Sequence, residues 1–130
     1  MNDERERAVL AAIDKIIEDF GNHRRDAYFS GFAEDATFVF HTAERRLESR
    51  ADYEEVWAGW ERDNGFAVLQ CASTNRRIQM LGDVAIFSHD VETRVRMDGT
   101  EELQHERESI IMREVDGQWL CVHEHLSGRD

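Results

Sequence analysis

The segment Trp119-Leu120-Cys121-Val122-His123-Glu124-His125-Leu126-Ser127 carries the side chains best suited to moving protons. A β-strand reverses side-chain direction at each residue, so His123 and His125 read as neighbours on one face, about 7 Å apart. An imidazole titrates near neutrality and can give or take a proton, which suits general acid/base catalysis. Arg107, on the preceding strand-like run, offers a planar donor fork for a carboxylate or a developing enolate. Such groups are costly to bury unless they meet solvent, a ligand or one another's hydrogen-bond partners. They therefore point to a pocket. The alternative is a structural polar network in which Arg107, Ser109 and the histidines satisfy one another.

His-x-His on a strand can also offer two metal ligands, with His89 or His105 as a third. On a regular strand Glu124 points away from the two histidines, and the charge of Arg107 opposes a cation, so no metal is expected. No Gly-rich phosphate loop, Ser-His-Asp order or supported Cys-His pairing appears, and no cofactor is expected.

The elements that must position these residues follow from periodicity. Val9, Ile13, Ile16, Ile17 and Phe20 recur at helical spacing, and Gly21 closes the run. A second helix is expected from about His23 to Phe32, then a strand over Thr37–His41 with Arg46-Leu47-Glu48 as its hairpin partner. Ser49 and Asp52 approximate a capping box for a third helix with the stripe Tyr53, Val56, Trp57, Trp60. Tyr28, Trp57 and Trp60 could wall a ligand; a helix packed on a sheet is the preferred explanation of the tryptophans, and both can hold at once. Four strands then run over about Phe66–Met80, Val84–Met97, Glu101–Val115 and Gln118–Ser127. Turns fall at Gly82-Asp83, Asp98-Gly99 and Asp116-Gly117. Helices first and an antiparallel meander last mean α+β, with helices on one face of a curved sheet.

Phe87, His89, Val91, Thr93 and Val95 alternate with Ser88, Asp90, Glu92, Arg94 and Arg96, which places the odd side inward. In the next strand Leu103, His105, Arg107, Ser109 and Ile111 alternate with Glu102, Gln104, Glu106 and Glu108, and the odd side again reads as inner. A three-residue loop at each Asp-Gly, with glycine in the left-handed bulge position, keeps odd opposite odd; a two-residue loop does not. The first is therefore expected. It sets His89 opposite Arg107, Ser109 opposite His123 and Arg107 opposite His125, so that these residues and His105 converge on one concave face. Leu120, Val122 and Leu126 are left on the outer face, where a second subunit would cover them.

The chain of 130 residues fits one domain, residues 1–130, with a formal charge of −12. That charge argues against a nucleic-acid partner and an anionic membrane surface. Cys71 and Cys121 have no metal-type spacing and read as buried reduced thiols, which fits a cytoplasmic location. The charged start lacks a signal-peptide core, and no apolar run approaches the roughly 18 residues of a membrane span.

Five motifs stand out: Phe32-Ala33-Glu34-Asp35-Ala36-Thr37-Phe38, Gly82-Asp83-Val84-Ala85, Arg107-Glu108-Ser109, Asp116-Gly117-Gln118-Trp119 and the closing Val122-His123-Glu124-His125-Leu126-Ser127. Together they resemble the NTF2-like superfamily, and within it the SnoaL-like or DUF4440-type small proteins. The ending is also similar to the association domain of calcium/calmodulin-dependent kinase II. The resemblance implies a cone-shaped α+β fold around a pocket, and homodimers through the outer sheet face. It covers ketosteroid isomerases, polyketide cyclases, dehydratases and proteins without assigned activity, so fold alone does not name a reaction. Where the isomerases carry their catalytic aspartate this chain has Phe40, which argues against steroid isomerisation by that route. His41, one residue on, is a possible base on the opposite side of the strand. Two functional readings follow. One is a pocket for a hydrophobic organic acid or carbonyl compound, with cofactor-free proton transfer by His123, His125 and Arg107. Its ligand-binding residues would be Tyr28, His41, Trp57, Trp60, His89, His105 and Ser109. The other is a non-catalytic association module of the kinase type.

Overall fold

Apolar side chains at Val9, Ile13 and Ile16 share one face of helix α1 (Asn2–Gly21) and are buried, while Glu4, Arg7, Asp14, Lys15 and Glu18 are charged and exposed. Residues 2–129 are described in this computed structural model, with side chains from residue 4. Gly21 lets the helix end lie against strand β2 (Ala67–Leu81): a Cβ there would sit 3.2 Å from the Cys71 Cβ. Helix α2 (Arg25–Phe29) is shorter than the periodicity predicts. The chain turns at Ser30 and Gly31, where a Cβ on Gly31 would meet Ile16 at 2.7 Å, and strand β1 (Phe32–Phe40) begins at once.

Helix α3 (Arg50–Asn64) starts as expected, the Ser49 hydroxyl accepting from the Asp52 N–H at 3.0 Å, and stops at Gly65 with φ 60°. Tyr53 and Trp57 join Tyr28, Phe29, Phe32 and Phe38 in a cluster of tilted and edge-on rings, with the Phe38 and Tyr53 centroids 4.7 Å apart. Such contacts add about 0.5–1.5 kcal/mol per pair beyond the burial of each ring. This cluster ties the helices to β1.

The five strands form one curved, open sheet in the order β1-β5-β4-β3-β2, with β3 (Val84–Met97), β4 (Thr100–Val115) and β5 (Gln118–Gly128). Strands β2 to β5 make the antiparallel meander read from the sequence. Strand β1 lies parallel to β5, with Thr37 beside His123 and Val39 beside His125, so the sheet is mixed. The expected hairpin partner of β1 contracts to one bridge, Phe38 with Leu47.

The turns are where the structure departs most from expectation. Met97 pairs with Thr100 and Val115 with Gln118, so both Asp-Gly loops hold two residues. Asp98 and Gly99 have φ 54° and 78°, and Asp116 and Gly117 52° and 79°. Positive φ at both central positions is the type I′ pattern, whose twist matches that of the flanking strands. Odd residues of β3 therefore lie opposite even residues of β4, and the inner face of β4 is the even one. On β5 the odd parity holds as far as Cys121, which pairs with Met112. Val122 is then extra, and pairing resumes at His123–Ile111 and Glu124–Ile110. This bulge turns Glu124 and Leu126 inward and the two histidines outward.

Candidate functional site

Because register sets which groups meet, the concave face is not the one predicted. Strand β3 contributes His89, Val91, Thr93 and Val95, as expected. Strand β4 contributes Glu102, Gln104, Glu106 and Glu108, and β5 contributes Glu124 and Leu126. Across from them stand Ile16, Ile17 and Phe20 of α1, Tyr53 and Trp60 of α3, and Tyr28, Phe40 and Phe66. Between these walls lies a cavity of about 210 Å³, acidic on the β4 side and aromatic to aliphatic on the helix side.

Glu124 lies deep in it, 2% exposed. Burial pushes its carboxyl well above the usual carboxylate range and the nearby charge of Glu108 pushes it further, while no hydrogen bond from the described residues holds it down. Glu106 is also buried, with its Oε2 2.6 Å from His41 Nε2. Burial raises it too, the His41 contact working against that rise. His89 bridges two groups: Nε2 lies 2.8 Å from Glu108 Oε1 and Nδ1 lies 2.6 Å from Ser73 Oγ. A neutral ring protonated on Nε2 donates to Glu108 and accepts from the Ser73 hydroxyl, which satisfies both contacts. The Tyr28 and Tyr53 hydroxyls are 2.9 Å apart. Burial, then the Glu124 charge, raises both well above the ordinary phenol value, so they stay protonated. Cys71 lines the cavity, but burial lifts its thiol to about 12, which leaves it unreactive near neutrality.

A protonated carboxyl beside a second carboxyl with an imidazole behind it can give and take protons in a water-poor space. Among the described residues no Arg or Lys lines the cavity, and no three His, Cys, Asp or Glu side chains are arranged to hold a metal ion. A carboxylate ligand would meet no fixed cation there, which removes the basis for the organic-acid half of the first reading.

The predicted residues divide accordingly. Tyr28, Trp60 and His89 line the cavity. Trp57 is fully buried in the aromatic cluster behind it, and His41 reaches the wall only through Glu106. The other five share a face, as predicted, but it is the convex one. Arg107 Nε lies 3.2 Å from Asp90 on the outer side of β3, and His105 Nδ1 lies 3.2 Å from Glu92. His123 Nδ1 lies 2.8 Å from the Thr37 hydroxyl, and Ser109 pairs with an exposed His125. Burial, with the charges of Arg46 and His125, lowers the His123 pKa. Two causes act in turn: the two-residue turn at Asp98-Gly99 sends His105, Arg107 and Ser109 outward, and the bulge at Val122 does the same to His123 and His125. Glu106, Glu108 and Glu124 read as solvent-facing in a strand pattern, yet a signal for the first two existed. Asp-Gly between alternating strands is the strongest mark of a two-residue hairpin, and that parity turns Glu106 and Glu108 inward, whereas the bulge that turns Glu124 has no such mark.

Comparison with known proteins agrees with this architecture. No curated protein matches the chain at a significant level. A candidate scytalone dehydratase from Novosphingobium aromaticivorans superposes with a TM-score of 0.83 at 16% identity, covering 99% of this chain and 87% of that one. A ketosteroid isomerase-like protein from Erwinia carotovora atroseptica gives 0.79 at 15% identity, covering 95% of each chain. A candidate calcium/calmodulin-dependent protein kinase II association domain from Xanthomonas campestris gives 0.78 at 17%, covering 95% and 86%. At these identities the likeness is one of fold, the NTF2-like α+β cone. The sequence itself matches a family model, the SnoaL-like domain, over residues 9–129, and on that match the chain belongs to the SnoaL-like family.

Proposed function

We propose that this protein binds a small apolar compound with a non-anionic polar end in the cavity and exchanges a proton with it, without a cofactor. The reaction class is that of an isomerase, dehydratase or cyclase acting on a carbonyl compound. The observation that carries this reading is Glu124: a deeply buried carboxyl, without a hydrogen-bond partner among the described residues, on the wall of a cavity whose opposite side is apolar. Protonated, it donates to a carbonyl oxygen; the Glu108–His89 pair stands ready to take a proton from an adjacent carbon. The tyrosine pair and Trp60 shape the apolar end. We also propose a homodimer through the convex sheet face, where Ile86, Ile111 and Leu120 are half-buried among mixed charges.

The test is deuterium uptake at the carbon next to the carbonyl, followed by NMR, for a panel of small apolar ketones. The wild type should accelerate exchange for at least one of them. Glu124→Gln should slow that exchange by about 100-fold or more, the lower range for a positioned acid/base. Arg107→Ala, on the convex face, should leave it within about twofold, far less than loss of such a group. Absence of exchange across the panel, together with no small molecule in mass spectra of the purified protein, would falsify the reading.

A further inference from the structure

The wall of the cavity is unusual in what it leaves without a counterpart. Glu106 and Glu108 each contact one histidine, whereas Glu124 contacts none. A carboxyl buried this far without a partner is expensive, and the missing partner must come from whatever enters the cavity. A carbonyl offers only an acceptor, which serves one protonated carboxyl. An ammonium offers three donors and a positive charge, and can satisfy several carboxyls at once. The aromatic wall opposite, with Phe20, Trp60 and Phe66, suits both an apolar body and a cation over ring faces. A formal charge of −12 draws cations to the molecule and repels anions.

We propose that the cavity selects an apolar organic compound bearing a protonated nitrogen, whose ammonium lodges among the carboxyls of Glu106, Glu108 and Glu124. This rests on the reading that the cavity is a ligand site centred on Glu124, and it adds the substrate class. The other titratable groups facing that place are Glu102, His89, Tyr28, Tyr53 and Cys71, with His41 behind Glu106. Only the histidines among them can be positive, and each is already in contact with a carboxyl. The ammonium therefore ionises Glu124: its proton passes from the carboxyl oxygen to solvent, an ammonium–carboxylate pair forms, and no bond to carbon changes. An amine bound in this way holds Glu124 as the carboxylate, whereas a neutral carbonyl compound meets it protonated.

The experiment is titration calorimetry with four probes of similar shape: phenethylamine, phenethyl alcohol, phenylacetone and phenylacetate. Each is run near neutral pH in two buffers of different ionisation enthalpy. Phenethylamine should bind at least about tenfold more tightly than the alcohol or the ketone. Its enthalpy should shift between buffers by the amount expected for roughly one proton released per molecule bound, as linkage to one carboxyl requires. Glu124→Gln, checked for folding by circular dichroism, should abolish both the preference and the proton release. The buffer dependence of the wild type stands even if that variant does not fold. Equal binding of amine, alcohol and ketone, or tighter binding of phenylacetate, overturns the choice of substrate class while the cavity remains a ligand site. Failure of all four to bind counts against the site itself.

Discussion

Glu124 and Glu106 set the pH behaviour expected at the scale of single residues. Both are held above the usual carboxylate range by burial, with Glu108 adding its charge. In the unfolded chain they titrate near the ordinary value, so between the two values the folded state holds more protons. The stability they contribute is present below the ordinary carboxylate value and is lost as pH rises through the elevated one. Urea midpoints of the free protein should fall as pH rises above the ordinary carboxylate value, and Glu124→Gln should fall less steeply over the same range. Equal slopes would show that Glu124 does not titrate in that range. Asp19 behaves oppositely. Burial alone would raise it, but the bonds from Lys15 and Arg24 prevail and hold it low, so its contribution disappears as the medium becomes acidic.

Register belongs to the level of elements, and the Asp-Gly turns and the Val122 bulge control it. A left-handed φ of 78° at Gly99 is free for glycine and strained for any residue with a Cβ. Gly99→Ala should therefore cost about 1–2 kcal/mol in urea unfolding without altering the cavity-lining residues. Loss of the Ser49 cap, at the start of α3, is a smaller change. Ser49→Ala should cost about 1 kcal/mol, read in the same titration, because the Asp52 N–H loses its acceptor. A three-residue loop at Asp98-Gly99 would return Glu106 and Glu108 to the water-facing side, and loss of the Val122 bulge would do the same to Glu124. The chemistry of the site is thus decided by one turn and one bulge.

At the scale of the whole molecule, the sheet separates two polar surfaces of different character. The concave one gathers carboxyls against aromatic rings. The convex one carries Arg107, His105 and His123 in contacts with Asp90, Glu92 and Thr37, around the half-buried Ile86, Ile111 and Leu120. Mixed charge around apolar side chains suits an isologous contact between two copies, in which each patch meets itself. Sedimentation equilibrium should give twice the mass of one chain, and Ile111→Glu should return the monomer with the cavity intact. A monomer at all accessible concentrations would remove the convex face as an interface.

Helical periodicity, the Ser49 cap, the hairpin dipeptides and the closing motif already specified an α+β cone with a four-stranded meander. They also placed Tyr28, Trp60 and His89 at a pocket. These are local properties, and residues a few positions apart are enough to express them. Which face of β4 and β5 is concave was not legible in the alternation of polar and apolar residues. The cavity inverts that alternation by taking carboxyls inward, where the pattern assigns them to water. The parallel pairing of β1 with β5, the bulge at Val122 and the isolation of Glu124 arise from contacts between residues far apart in the chain. Tertiary structure alone decided them, since a one-residue difference in pairing exchanges every side chain between the two faces.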